Sequence, residues 1–228
     1  MAPTLTWLGH GTWQIDTNGI RILLDPFLDD QPTSPVQAAD VNADFILISH
    51  GHFDHVADAA AIAKRCGSTI IAIYEIAEWF SAKQQIEKTI GMNIGGGIEL
   101  PFGHLKMTEA VHSSQLPDGS SGGIAGGFVL TLDQKRVYFA CDTALFSDMQ
   151  LIGQMGLEVA VLPIGDLFTM GPDDSIAATK LLQPRRVIPA HYNTWEPIAQ
   201  DVQAWARQIQ NDTDAIAEIP TPGVSFEL

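Results

Sequence analysis

The sequence predicts an α+β protein built as a four-layer αββα sandwich, with two mixed sheets face to face and helices outside. Three observations predict it. The chain opens with strands rather than with a strand–helix alternation. Two continuous apolar runs, DFILIS at 44–49 and STIIAIY at 68–74, are each followed by a helix-periodic stretch. The second half then repeats the same mixture of strands and helices.

The elements follow in order. Residues 5–8 and 12–16 read as strands, Asn18-Gly19 as a two-residue hairpin turn, and 20–24 as the returning strand. The run at 44–49 suits a strand buried on both faces, and helix periodicity over 56–65 is stopped by Gly67. Another buried strand covers 68–74, and a helix covers 76–90, ended by Gly91. Further strands are predicted at 105–111, 127–132, 136–140, 159–164 and 186–190, with helices at 146–155, 174–182 and 197–209. Short strands at 215–219 and 224–227 close the fold, and the glycine clusters at 95–97 and 122–127 read as loops or a bulged strand start. No repeat, linker or low-complexity run divides the chain, so residues 1–228 are taken as one domain.

Composition narrows the function. The 228 residues are 46% hydrophobic, enough for a sizeable core and too many for a disordered polyanion. Twelve Lys plus Arg against 27 Asp plus Glu give a formal charge of −15, which opposes binding to nucleic acid or an anionic membrane surface. Two cysteines, Cys66 and Cys141, are too few for a disulfide scaffold or a thiolate zinc site. Any metal must therefore be held by His and carboxylate. The opening MAPTLTWLGHGTW has no basic cluster followed by an apolar stretch, and no apolar run approaches a membrane span. A cytoplasmic protein with no membrane span is expected.

The most informative segment is HGHFDH at 50–55, directly after the buried strand ending at Ser49. His50, His52, Asp54 and His55 put four metal-ligand side chains within six residues. In a loop leaving a strand, His50 and His52 can converge on one ion while Asp54 and His55 turn toward another. A terminal tag would not follow an apolar strand, so the density favours a metal site over a solvated loop. His112, Asp142 and His191 each fall just past the end of a predicted strand, where open sheets place their sites. His104, by contrast, reads as an ordinary surface or core histidine.

These motifs resemble the metallo-β-lactamase superfamily. HGHFDH matches its His-x-His-x-Asp-His motif without a gap. The closer likeness is to its predicted metal-dependent hydrolases, through TWLGHGT (6–12), DPFL (25–28), SHGHFDH (49–55), HSS (112–114), FACDT (139–143), LPIGDLFTMGP (162–172) and PAHYNT (189–194). Ascorbate-6-phosphate lactonases and N-acyl-phosphatidylethanolamine phospholipase D look related. The resemblance implies that His50, His52 and His112 hold one metal, that Asp54, His55 and His191 hold a second, and that Asp142 bridges them. It also implies two divalent ions, zinc first, with manganese, iron and nickel able to take similar ligands. Cys141 departs from the glycine expected before the bridging aspartate and is read as a small buried side chain.

Hydrolysis needs a nucleophile stronger than neutral water. A bound metal lowers the pKa of its water toward ~7, so a metal-bridging hydroxide is expected to attack a small ester, lactone or phosphodiester. Asp54 is expected to orient it. Asp25 is read either as the orienter of a ligand histidine or as a turn residue before Pro26. His10, between two glycines, is expected at the pocket, donating a proton or contacting substrate. Asp166, Phe168, Thr169, Met170, Tyr192 and Asn193 are expected to line that pocket. The expected partner is a small-molecule substrate, not a nucleic acid, and a homo-oligomer is compatible with the sequence. Two other activities fit the same fold. One is a metal-dependent oxidoreductase with a mononuclear iron acting on sulfur compounds; the di-iron variant is disfavoured by His52. The other is a nucleic-acid-processing hydrolase, disfavoured by the charge.

Overall fold

A computed structural model describes residues 2–228. The first sheet holds β1 (Thr4–Trp7), β2 (Trp13–Thr17), β3 (Ile20–Leu24), β4 (Phe45–Ile48), β5 (Thr69–Ile73), β6 (Thr89–Met92) and, from the far end of the chain, β14 (Ser225–Glu227). Their order is β14-β1-β2-β3-β4-β5-β6, antiparallel as far as β3 and parallel from there on. The second sheet holds β7 (Gly97–Leu100), β8 (Gly103–Glu109), β9 (Gly126–Leu132), β10 (Lys135–Phe139), β11 (Val159–Pro163), β12 (Arg186–Ala190) and β13 (Ile216–Ala217), arranged in sequential order. It is antiparallel from β7 to β10 and parallel from β10 to β13.

The helices are α1 (Phe53–Val56), α2 (Ala59–Cys66), α3 (Tyr74–Gln84), α4 (Met149–Gly153), α5 (Pro172–Leu182) and α6 (Val202–Asp212). Helices α2 and α3 pack on the first sheet, while α5 and α6 pack on the second. One continuous apolar cluster joins the two sheets, including Ile15, Ile22 and Leu47 on one side and Phe128, Leu130 and Val137 on the other. The αββα sandwich is therefore the observed architecture. Among the described residues, no helix is long and apolar enough to cross a membrane.

Local chemistry explains most boundaries. Asn18 and Gly19 both take positive φ, 51° and 78°, which fits a tight turn matching the twist of β2 and β3. Gly67 takes φ 69° and closes α2 through its N–H to the Ala63 carbonyl. The Asp201 carboxylate caps α6 by accepting from Ala204 N at 2.9 Å.

Four expected elements differ. The helix expected over 56–65 is split around Ala57-Asp58. The Asp58 carboxylate accepts instead from the backbone N–H groups of Leu28 (2.6 Å) and Asp29 (3.3 Å), tying the break to another loop. The helix expected to reach residue 90 stops at Gln84, and Thr89–Met92 becomes strand β6 beside β5. Gly91, expected as a helix stop, lies within β6. A Cβ there would come within 2.9 Å of Tyr74, so close packing rather than helix termination accounts for the glycine. The segment 97–100, expected as loop, pairs with β8. The last long helix starts at Val202, after a 3-10 turn at Glu196–Ile198 that contains Pro197.

The arrangement puts the C-terminal ends of β3, β4, β8, β10 and β12 along one edge of the sandwich. Asp25, His50, His112, Asp142 and His191 follow those ends.

Candidate metal centre

The chain turns abruptly as it leaves these strands. Asp25, Cys141 and His191 take φ values of 45°, 54° and 53°, and His10 takes 51°. Left-handed backbone at non-glycine residues costs of order 1–3 kcal/mol and collects at functional sites. Here it accompanies the turn of His10, Asp25 and His191 toward the neighbouring histidines and carboxylates, whereas the Cys141 thiol turns to its own backbone. Cys141 occupies a conformation that favours glycine, which accounts for the expectation of glycine at that position. Its Sγ contacts the Phe139 carbonyl at 3.7 Å, and burial holds its thiol well above the ordinary range.

Two donor groups form at that point. His50, His52 and His112 make one, with His50 Nε2 3.0 Å and His112 Nε2 3.3 Å from His52 Nδ1. Asp54, His55 and His191 make the other, together with His10. Asp142 lies between them. Its Oδ2 is 3.9 Å from His50 Nε2 and 3.6 Å from His112 Nε2 on one side. On the other it is 3.4 Å from His55 Nε2 and 3.1 Å from His191 Nε2.

The donor set fits a divalent ion. Buried polar atoms are nearly always hydrogen-bonded, yet His55 Nε2 and both ring nitrogens of His191 are buried without a hydrogen-bond partner. Imidazole nitrogens pointed at one another and at carboxylates cannot all be satisfied by protons. They can be satisfied by a shared cation. Nitrogen and carboxylate donors suit zinc and its first-row neighbours.

Electrostatics follow from the same crowding. Burial would raise the pKa of Asp142 and Asp54, but the surrounding imidazoles outweigh it and hold both carboxyls well below the usual range. Burial would lower His55 and His191. Asp142 and its neighbouring acidic groups overcome this, raising His191 to about 9 and His55 well above the histidine range. For His50, burial and the neighbouring His55 lower the value despite Asp142.

Behind the donors lies a hydrogen-bonded support. Asp25 Oδ1 accepts from Ser49 N at 2.8 Å, and Oδ2 accepts from Ser49 Oγ at 2.5 Å and from His55 Nδ1 at 2.9 Å. Because the Ser49 hydroxyl donates to Asp25, its oxygen is free to accept from His50 Nδ1 at 2.9 Å. His10 is fully buried. Its Nε2 donates to Asp54 Oδ2 at 3.0 Å, and its Nδ1 accepts from Thr194 Oγ1 at 2.8 Å. Burial and the nearby His191 lower its pKa to about 4, so it stays a neutral ring near pH 7.

An open cleft of about 480 Å³ leads to the donors. Its wall includes Phe53, Leu116, Pro117, Phe168 and Trp195 beside His52, Asp54, His112, Asp142 and His191. The size lies within the range of small-molecule sites, roughly 300–1,000 Å³.

The pattern of the beta-lactamase superfamily domain matches residues 20–192 of this chain. The chain belongs to the metallo-β-lactamase superfamily. It is 46% identical over 202 residues to a UPF0173 metal-dependent hydrolase of Thermus thermophilus, with 89% of each chain covered. It is 42% identical over 232 residues to another from Heliobacterium modesticaldum, covering 98% of this chain and 97% of that one. Among solved structures, Igni18, a metallo hydrolase from Ignicoccus hospitalis, matches over the whole of both chains with a TM-score of 0.89 and 34% identity. The protein is thus a metal-dependent hydrolase with the metallo-β-lactamase fold.

Within this metallo-β-lactamase fold, the seven residues expected as ligands converge. Asp25 contacts a member of that set, as described. His10 sits behind Asp54 rather than on the cleft wall. Of the six residues expected at the pocket, Phe168 lines the cleft and is 55% exposed. The other five do not line it. Met170 is buried in the core, and Tyr192 is buried against Trp7 at 5.4 Å between ring centroids. Asp166 and Thr169 form a turn, with Thr169 N donating to the Asp166 carbonyl at 2.6 Å. The exposed Asn193 accepts from Gln200 N at 2.7 Å and so braces its own loop. His104 lies in β8 opposite Glu99 and Thr131, away from the centre.

Residues not expected also contribute. Ser49 and Thr194 stand inside the motifs SHGHFDH and PAHYNT, where Ser49 bonds His50 and Asp25, and Thr194 bonds His10. Ser113 Oγ lies 3.3 Å from His52 Nε2 and was within reach through HSS. Phe53, Leu116, Pro117 and Trp195 carry no spacing signal that assigns them to a pocket.

Proposed function

We propose that this hydrolase works with two divalent metal ions, zinc by preference, on a small ester, lactone or phosphodiester. His50, His52 and His112 hold the first ion, Asp54, His55 and His191 hold the second, and Asp142 joins them. The observation that carries the reading is the place of Asp142. A single carboxylate oxygen lies within 3.1–3.9 Å of four imidazole nitrogens, two from each donor group.

When bound, the ions supply a water ionised near neutral pH and a Lewis acid for the scissile carbonyl or phosphoryl oxygen. The remaining work belongs to the chain. Asp25 accepts the Nδ1 proton of His55 and, through Ser49, anchors that of His50, which leaves the Nε2 lone pair of each facing the centre. His10 donates to Asp54 and fixes the direction of its carboxylate. Thr194 fixes His10 in the tautomer that permits this. The aromatic wall of Phe53, Phe168 and Trp195 keeps one side of the substrate dry.

The test combines metal content with turnover. Protein purified without added metal is analysed for bound ions, then assayed on generic ester, lactone and phosphodiester substrates before and after chelation. About two ions per chain and loss of turnover on chelation, restored by zinc, are expected. Unchanged turnover in fully metal-free protein sinks the proposal. One iron per chain with oxygen consumption supports the oxidoreductase instead.

A further inference from the structure

The distribution of charge around the cleft is uneven. Twelve Lys and Arg occur in the chain, yet among the described residues none lines the cleft. Several are committed elsewhere. Arg21 pairs with Asp16, Arg65 donates to the Ala38 carbonyl and the Asn42 side chain, and Arg186 pairs with Glu218. Three carboxylates instead stand close to wall residues in the sequence. Asp118 adjoins Pro117 and Gly119, Asp166 stands two residues before Phe168, and Glu196 follows Trp195. All three are exposed.

The apolar wall is also built rather than incidental. Phe53 packs edge-on against Phe27 at 5.8 Å and lies 6.1 Å from Trp195, which itself lies 6.0 Å from Phe27. Trp195 is braced by the buried His10 ring at 4.9 Å. Phe53 nevertheless leaves 58% of its surface uncovered, and Phe168, also on the cleft wall, leaves 55%. Such anchored but uncovered aromatic rings offer area to an apolar ligand at small conformational cost.

Resting on the hydrolytic reading above, we infer that the non-reacting portion of the substrate is uncharged and apolar. An anionic substituent there would find no lining Lys or Arg to pair with it. An acyl chain or ring would bury against Phe53, Phe168 and Trp195.

The test uses zinc-loaded full-length protein and two esters of equal length. These are 4-nitrophenyl hexanoate and the 4-nitrophenyl monoester of adipic acid, which adds a terminal carboxylate. The expected kcat/KM is at least tenfold higher for the hexanoate. Phe168→Ala should lower that preference severalfold. Calorimetric binding of the matching 4-nitroanilides, which resist cleavage, reads the same preference without turnover. Tighter binding of the neutral anilide supports the inference even where neither ester is cleaved, and that combination counts against the hydrolytic reading alone. Turnover or binding that is equal for both members, or better for the carboxylated one, overturns the inference.

Discussion

Replacing Asp25 with Asn tests how the centre is held together. The carboxylate is almost completely buried and accepts three hydrogen bonds, two from Ser49 and one from His55 Nδ1. An amide can accept on one side only. If its oxygen stays on the Ser49 N–H, its NH₂ faces His55 Nδ1, and two donors oppose each other. The strain is relieved when the His55 proton moves to Nε2, the atom 3.4 Å from Asp142 Oδ2. That tautomer puts a proton where a ligand lone pair is needed. The amide also meets the Ser49 hydroxyl as a donor, which turns that hydroxyl away and loosens the link to His50.

The magnitude follows from this geometry. Losing the outer partner of a ligand histidine weakens metal binding roughly 10–100-fold. At a metal concentration about 100 times the wild-type Kd, binding stabilises the fold by about 2.7 kcal/mol, and a Kd about 30-fold weaker leaves about 0.9 kcal/mol. The difference of about 1.8 kcal/mol corresponds to about 4–7 °C of Tm in a chain of this size. The assay is thermal unfolding of both proteins in chelator and in a zinc series. Taking the zinc-dependent rise separately for each protein removes any change that Asp25→Asn makes to the metal-free fold. A rise in the variant equal to that of the wild type, at the same zinc concentrations, refutes the tautomer argument.

Other outcomes follow from the same structure. Complete chelation of the wild type should lower Tm, because metal binds the folded chain more tightly than the unfolded one, and zinc should restore it; no change would deny that these donors bind metal. His10→Ala should lower kcat/KM by roughly 10–100-fold through the loss of its bond to Asp54, with the loss seen mainly in turnover; unchanged turnover would remove His10 from any positioning role. Ser175→Ala leaves the buried Trp205 Nε1–H without its 2.7 Å partner and should cost about 1–3 kcal/mol, read by denaturant unfolding in chelator, with zinc affinity unaltered. Asp118 is held at a pKa of about 2 by hydrogen bonds from Ser120 and Trp79. Because the folded value is depressed, the favourable contribution is present above the unfolded value near 3.8 and is lost as pH falls through about 2. NMR titration should show that low value in the wild type and a rise in Ser120→Ala.

The legibility of this protein in its sequence varies with the range of the interactions involved. The strands β4, β5 and β11 are nearly continuous apolar runs, and their burial on both faces is written locally. The hairpin at Asn18-Gly19 and the stop at Gly67 are single-residue effects of positive φ, equally local. Strand β6 was hidden because its partner β5 supplies the reason for its existence. Its sequence alternates poorly and carries Gly91, whose packing against Tyr74 is a tertiary fact. The candidate ligands were legible because they follow closely on the ends of legible strands. The cleft wall was not. Met170 and Tyr192 stand next to motif residues, yet each turns into the core, while Leu116 and Trp195 reach the opening from loops whose course no local pattern fixes.

The construction of the centre also explains why so few residues suffice to declare it. The seven donors leave from the ends of β4, β8, β10 and β12, and Asp142 is the point where the two sheets' contributions meet. His50 and His55 are positioned from the first sheet through Asp25, whereas His112, Asp142 and His191 come from the second. Neither sheet can form either donor group alone, because each group draws at least one histidine from both. Binding at the centre is therefore coupled to the packing of one sheet on the other. A core substitution between the sheets, remote from every ligand, should weaken zinc binding as well as the fold. Leu130→Ala, in the fully buried face of β9, should cost about 2–5 kcal/mol. Its zinc affinity, measured by competition with a chromophoric chelator at a temperature where the variant remains folded, should fall. Unaltered zinc affinity in a correctly folded Leu130→Ala protein would mean that the edge of the sandwich holds its geometry independently of the core beneath it.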